Sequence, residues 1–273
     1  MTSDRHETVL ITGATDGLGR AATLDLAERG ATVLVHGRSR ERGEAVLGEL
    51  SGSAGGDRAQ LYLADLSSLA EVRRLAAEIE AGHERLDVLV NNAGIISGER
   101  ELSADGYELT FAVNYLSHFL LTDLLLPLLR SSAPARIVNV ASIGQSPLDF
   151  DDVMLERDYS DFRAYGQSKL AQIMFSFELA QRPGTGGGVT VNALHPATLM
   201  ETKMVRDHIG RARSTVSEGV EALTRLAVGS ELEGTTGAFF DGLDESRADG
   251  QAYDPEARRR LWDLSEELTV TRG

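Results

Sequence analysis

Tyr165 and Lys169 stand four residues apart in Arg163-Ala164-Tyr165-Gly166-Gln167-Ser168-Lys169. On a helix that spacing puts both side chains on one face. A free phenol titrates near pH ~10, and a neighbouring cation favours its anion. The pair would let Tyr165 give or take a proton near neutral pH, as a general acid or base must. Alone, the pattern also fits an exposed tyrosine packed on a lysine stem.

A second stretch carries a different chemistry. Thr12-Gly13-Ala14-Thr15-Asp16-Gly17-Leu18-Gly19 follows the apolar run Thr8-Val9-Leu10-Ile11 and opens a helical pattern over 17–29, ended by Gly30. Glycines between a strand and a helix allow a tight turn and close approach of the backbone to a pyrophosphate. The helix start adds free N–H groups and the positive end of its dipole. Thr12, Gly13, Asp16, Gly17, Leu18 and Gly19 are therefore candidate dinucleotide-binding residues. The next strand ends in His36-Gly37-Arg38-Ser39-Arg40. An acid there would hold a ribose 2′-hydroxyl, whereas arginine accommodates a 2′-phosphate. With no acid and two arginines, Arg38 first, NADP(H) is preferred, and NAD(H) stays open.

These residues need a scaffold. Strand patterns at 8–11, 32–35, 61–63, 88–90, 137–140, 189–194 and 238–240 alternate with helical patterns at 17–29, 39–50, 69–81, 105–130, 163–181 and 217–228. Ser39 and Ser67 or Ser68 can cap two of the helices. Pro127 marks the end of the long helix or a kink in it. Such alternation predicts an α/β, doubly wound Rossmann-type parallel sheet of about seven strands with helices on both faces. The Gly-rich stretch 183–188 reads as a surface loop. No repeat or linker divides the chain, so residues 1–273 form one dinucleotide-binding and catalytic domain.

Composition narrows the partners. Lys+Arg is 27 against 42 Asp+Glu, a net charge of −15, which disfavours nucleic acid and anionic membranes. The absence of cysteine excludes disulfides, thiolate metal sites and a thiol nucleophile. No metal site is expected. The polar start lacks an apolar signal segment, and the greasiest run, 119–129, is broken by Asp123 and Pro127 and is short for a bilayer. A cytoplasmic protein without membrane contact is the expectation.

Taken together, Thr12-Gly13-x-x-x-Gly17-x-Gly19, Asp65-Leu66, Asn91-Asn92-Ala93-Gly94, Asn114, Ser142, Tyr165-x-x-x-Lys169 and His195-Pro196 resemble a short-chain dehydrogenase/reductase of the compact, single-domain type. The likeness runs from about Thr8 to Phe240, in the family's order. Val113-Asn114-Tyr115-Leu116-Ser117-His118-Phe119 and Tyr165-Gly166-Gln167-Ser168-Lys169-Leu170-Ala171 resemble the branch around retinol dehydrogenases and related carbonyl reductases.

The resemblance implies roles. Asp65, beside Leu66, contacts the adenine, and Asn91 to Gly94 (with Asn92, Ala93 and Gly94) line the floor of the cofactor site. Tyr165 is the acid/base, while Lys169 lowers its pKa and holds the nicotinamide ribose. Ser142 holds the substrate oxygen; it directly follows a strand, whereas Ser146 lies further out in the loop. Asn114 kinks the long helix and holds a water linking Lys169 to solvent. Leu148-Asp149-Phe150-Asp151-Asp152 forms a wall of the substrate site. One departure is Pro196-Ala197-Thr198-Leu199-Met200-Glu201-Thr202, where alanine replaces the family's glycine. Either Thr198 or Thr202 can reach the nicotinamide. Met200, Met204, Val205 and Ile209 form either a lid over an apolar substrate or a helix side packed on the sheet.

The implied function is an NADP(H)-dependent oxidoreductase interconverting a small-molecule carbonyl and an alcohol. A non-redox cyclase or isomerase and a dinucleotide-sensing binding protein are the alternatives on the same scaffold. Family members pair the two long helices across a two-fold axis. Leu120, Leu124, Phe175 and Phe177 exceed what one sheet face needs, so a homodimer on that surface is expected.

Overall fold

A computed structural model describes residues 6–182, 188–208 and 210–270. The expected loop over 183–188 lies, except for Gly188, outside the described residues, as does Ile209. Strands β1 (Thr8–Ile11), β2 (Thr32–Gly37), β3 (Gln60–Leu63), β4 (Val88–Asn91), β5 (Ala135–Val140), β6 (Val189–His195), β7 (Phe239–Asp241) and β8 (Asp244–Ser246) form an eight-stranded sheet. Its order is β3-β2-β1-β4-β5-β6-β7-β8, parallel except for the antiparallel edge strand β8. The helices are α1 (Gly17–Glu28), α2 (Arg40–Leu50), α3 (Leu69–Gly82), α4 (Leu109–Phe111), α5 (Ser117–Ser131), α6 (Asp161–Gln181), α7 (Lys203–His208), α8 (Val216–Val228) and α9 (Pro255–Thr269). A π-helical turn, Ala112–Leu116, joins α4 to α5.

Strands covered on both faces must be apolar at every position, and successive side chains must enter opposite layers. In β1, Val9 and Ile11 join a cluster with Leu26, Val46 and Leu223, beneath α1, α2 and α8. Leu10 joins the other cluster, with Leu75, Leu125 and Ile173 beneath α3, α5 and α6. The order reverses beside β1, between β2 and β4. Ligands of open α/β sheets bind at such a switch point, outside the carboxyl ends of the strands.

Local chemistry sets most helix boundaries. Ser39 and Ser68 cap α2 and α3, Thr215 and Glu218 form a capping box on α8, and Gly30 (φ 93°) follows the end of α1. The long helix departs from expectation. It starts at Leu109 because Glu108 is extended and accepts the Thr110 and Phe111 N–H groups at 2.8 and 2.7 Å. Asp105 instead accepts the Leu69 N–H (2.8 Å), serving α3. Pro127 sits inside α5, which runs on to Ser131. The run from Leu109 to Ser131 has 23 residues, long and apolar enough to cross a bilayer, so shortness is no argument; 78% of its apolar window is buried inside the fold.

The C-terminal helix α9 and edge strand β8 were not read from the pattern. Trp262 on α9 meets Phe119 and Phe175 with ring centroids 5.0 and 5.9 Å away. Tyr253 meets Phe177 at 5.4 Å, and buried Arg258 pairs with Glu178 at 3.4 Å. Leu120, Phe175 and Phe177 are thus buried within the chain. Phe175 and Phe177 are packed against the chain's own C-terminal segment, while Leu124 of the same expected surface is half-buried.

Candidate active site

A cleft of about 980 Å³ opens at the carboxyl ends of β1, β2, β4, β5 and β6. At its closed end is the glycine turn. Gly13 and Gly17 have φ of 65° and 50°, and a Cβ on Gly19 would lie 2.2 Å from the Gly13 carbonyl oxygen. Only glycine fits this turn at that position. Gly17 N–H donates to Asp16 Oδ1 (2.7 Å), capping α1. Asp16, Gly17, Leu18 and Gly19 all line the cleft.

His36 ties this end together. Gly13 N–H donates to its Nδ1 (3.2 Å), and its Nε2 lies 3.2 Å from the Ala64 carbonyl. Burial lowers it to about 4, so the ring is neutral at pH 7. Arg38 lines the cleft as expected, but Arg40 does not; it pairs with Glu44 at 3.5 Å on the exposed side of α2. Arg42 takes the second place, lining the cleft 3.8 Å from Asp16. Asp65 and Leu66 line it too. Asp65 accepts the Ser67 N–H (3.0 Å), while Ser68 is the residue that caps α3.

Asn92, Ala93 and Gly94 line the cleft floor. Thr12 is behind them: its Oγ1 accepts from Asn92 N–H (2.9 Å) and Ala93 N–H (3.0 Å), and its carbonyl accepts from Asn92 Nδ2 (2.8 Å). Asn91 is not on the floor. It is fully buried and donates to Thr122 and to Asn139, because the next residue of a strand points the other way.

Tyr165 and Lys169 both face the cleft from α6. Ser142, two residues past the end of β5, lines the cleft beside Tyr165 and acts to lower the phenol's pKa. Ser142 Oγ also accepts the Gly144 N–H (3.0 Å). Ser146 also lines the cleft and packs on Gly166, where a Cβ would meet its Oγ at 2.4 Å. The Lys169 ammonium lies 5.6 Å from the Tyr165 ring centroid and donates to Val140 O (2.8 Å) and Gln172 Oε1 (2.9 Å). Burial raises the Tyr165 phenol above its ordinary value, with Ser142 opposing it. Burial also lowers Lys169 to about 7. The lowered phenol expected from i,i+4 pairing is therefore absent: Lys169 is turned to a carbonyl and an amide rather than to the phenol oxygen.

Asn114 stands within the π turn, the local distortion expected of it, but it does not line the cleft. Its Oδ1 accepts Ile95 N–H (2.8 Å), and its Nδ2 donates to Ile95 O and Ser168 Oγ, both at 3.0 Å. It sews the loop after β4 to α6. Gly94 on the floor lies beside Asn114 and Lys169, a Cβ there meeting Asn114 Oδ1 and Lys169 Nζ at an ordinary contact distance of 3.5 Å.

Pro196, Thr198 and Thr202 all line the cleft. Thr198 Oγ1 lies 3.1 Å from His195 Nε2, and Thr202 packs its methyl toward Gly17. Met204 and Val205 overhang the cleft from α7; Met200 both lines it and packs on Gly219 of α8. The expected wall, 148–152, does not face the cleft. Leu148 is buried, its N–H held by Gln251 Oε1 (2.7 Å), and Phe150 lies under Arg260. Ile143, Gln145 and Phe162 form that wall instead. Arg42, Phe162 and Gln172 were missed. Gln172 is three residues beyond Lys169 on one helix, a spacing that could have revealed it.

Residues 7–211 match the model of the short chain dehydrogenase family. The chain is 39% identical over 281 residues to human retinol dehydrogenase 13, covering 96% of this chain and 84% of that one. It is 40% identical over 290 residues to mouse retinol dehydrogenase 14, covering 95% and 85%. An uncharacterized protein of Mycobacterium paratuberculosis superposes with a TM-score of 0.77 at 31% identity, over 98% of this chain and 96% of the other. A short chain dehydrogenase of Escherichia coli CFT073 complexed with NADPH gives 0.71 at 26% identity, over 87% and 97%. The chain belongs to the short chain dehydrogenase family, in its retinol dehydrogenase-like branch, and is a dehydrogenase of alcohol and carbonyl groups.

Proposed function

We propose that the chain interconverts a carbonyl and an alcohol with NADP(H), using Tyr165 as the acid/base. The observation that carries this is that Tyr165, Ser142 and Lys169 line one cleft together with the glycine turn. The turn fits a dinucleotide: Gly13, Gly17 and Gly19 leave a bare backbone at the start of α1, where a pyrophosphate is stabilised. Arg38 and Arg42 stand where a 2′-phosphate would need them. The nicotinamide, when bound, supplies or accepts the hydride.

The protein's part is to hold the oxygen and move a proton. Ser142 donates to the substrate oxygen and stabilises the charge that develops there. Tyr165 gives its proton to that oxygen in reduction and takes it back in oxidation. Burial keeps the phenol protonated at neutral pH, the form that reduction needs. Reduction needs the phenol and falls as pH rises through the Tyr165 pKa; oxidation needs the phenolate and rises through it. Ile96, Ile143, Phe162, Met204 and Val205 make the open side of the cleft apolar, which suits an apolar substrate. Incubation with NADPH and a panel of apolar ketones and aldehydes, followed by loss of nicotinamide absorbance, tests this function. No oxidation of NADPH with any of them, or faster oxidation of NADH, would count against it.

A further inference from the structure

Behind Lys169 a line of polar side chains runs into the protein. Lys169 Nζ is 2.9 Å from Gln172 Oε1, Gln172 Nε2 is 3.1 Å from His118 Nδ1, and His118 Nε2 is 3.3 Å from Thr12 Oγ1. Gln172 and Thr12 are fully buried and His118 is 1% exposed. The line crosses from α6 to α5 and ends at the turn after β1. Buried polar atoms are costly unless every donor meets an acceptor.

That requirement gives the line a direction. An ammonium only donates, so the Gln172 carbonyl oxygen must face Lys169. The Gln172 amide then donates to His118 Nδ1, which must be bare. The neutral ring then carries its proton on Nε2, which faces Thr12 Oγ1, while the Asn114 backbone carbonyl also acts on the ring. Thr12 Oγ1 already receives Asn92 N–H and Ala93 N–H and donates to Val90 O (3.3 Å), so its 3.3 Å contact with His118 is the weakest link of the line. Lys169 has three N–H donors. Val140 O takes one and Gln172 takes another. The third is left for the cleft.

We infer that Gln172, oriented by His118, is a positioning residue for Lys169: it holds the ammonium against Val140 O and aims its remaining donor into the cleft. This rests on Lys169 acting in the reaction proposed above. The titratable groups around Lys169 are Tyr165 on its own helix, His118 on α5 with His36 behind it, and His195 at the end of β6, itself 3.9 Å from Asp241. Burial lowers Lys169, and the oxygen of Gln172 opposes that by stabilising the charged form.

The composition makes a direct test practicable, because Lys169 and Lys203 are the chain's two lysines. In protein labelled with 13C,15N-lysine, two side-chain signals are followed against pH in the wild type, Gln172→Met and Gln172→Glu. Methionine keeps the volume and loses the acceptor, so the Lys169 titration should move down; glutamate should move it up. Each shift should be on the order of one pH unit, with exposed Lys203 unmoved. The same Lys169 titration in all three proteins would overturn the inference, since a merely space-filling glutamine predicts that result. Should either variant fail to fold, 15N-histidine spectra of the wild type still decide. A neutral His118 protonated on Nε2, at a pH where Lys169 is charged, supports the line of bonds; protonation on Nδ1 overturns it. With an accepted ketone, the pH–rate profile should move with the lysine titration. A moved titration under an unmoved profile would support the line of bonds and remove Lys169 from the reaction.

Discussion

The two halves of α6 are built for different purposes. Its N-terminal and central turns carry Tyr165, which lines the cleft beside Ser142, and Lys169 and Gln172, bonded to Val140 O and His118. Its second half carries Phe175 and Phe177, packed among Phe119, Tyr253 and Trp262. Lys169 and Gln172 are as buried as Phe175 and Phe177, yet burial means different things for the two pairs. Apolar packing is non-directional, so the aromatic layer needs volume. A buried donor or acceptor needs a partner of opposite kind at one place. The first half should thus be intolerant of a changed atom, and the second of a lost volume.

The sharpest way to break the comparison is Tyr165→Phe, which deletes one oxygen. Turnover should fall by about 10²–10⁴-fold, with NADPH affinity and melting temperature nearly unchanged. Near-normal turnover would remove Tyr165 from the acid/base role. Trp262→Ala asks the reverse question. Losing this 7%-exposed indole should cost about 3–5 kcal/mol in denaturant unfolding, while the folded fraction keeps its rate. A drop in rate per folded molecule would show that the two halves are not separable. Arg38→Asp moves to the far end of the cleft and should weaken NADPH binding by about 1.5–3 kcal/mol without harming NADH binding. Equal loss for both cofactors would show that Arg38 does not read a 2′-phosphate.

The smallest effect, per unit of pH, comes from the buried histidines. His36 and His118 are lowered to about 4 and about 3 by burial, against 6.5 in the unfolded chain. Their folded pKa values lie below the unfolded ones, so the unfolded chain takes up protons first as pH falls. Stability should drop below pH 6.5 by about 1.4 kcal/mol per unit for each, levelling near pH 4 for His36 and near pH 3 for His118. Unfolding free energies between pH 7 and 4.5, compared with His36→Gln, should show that variant with one proton less in the slope. An unchanged slope would mean that His36 is not buried neutral.

Much of the fold was legible because it is written in short-range terms. Short apolar runs marked β1 to β6, side chains capable of capping marked α2 and α3, and the Tyr165–Lys169 spacing put both residues on one helix face. The glycine turn was readable for the same reason: Gly13 and Gly17 have positive φ, a demand on single residues. Less was legible where a side chain had a choice of direction. Arg42 rather than Arg40 reaches the cleft because of where α2 places them around its axis. Asn91 and Asn92 part company because adjacent strand residues point to opposite faces.

By itself, then, the sequence determined the alternation of strands and helices, the cofactor turn and the Tyr165, Lys169 and Ser142 core of the candidate site. Those depend on backbone conformation and on period, which neighbouring residues set. Tertiary structure alone decided the partners. Phe175 and Phe177 were plainly apolar, but a second chain and α9 would bury them equally well in any pattern of hydrophobicity. The polar line behind Lys169 joins Gln172 to His118 across 54 residues and His118 to Thr12 across 106. No local rule relates positions so far apart; they meet because the sheet order brings β1 beside β4 and packs α5 and α6 over both.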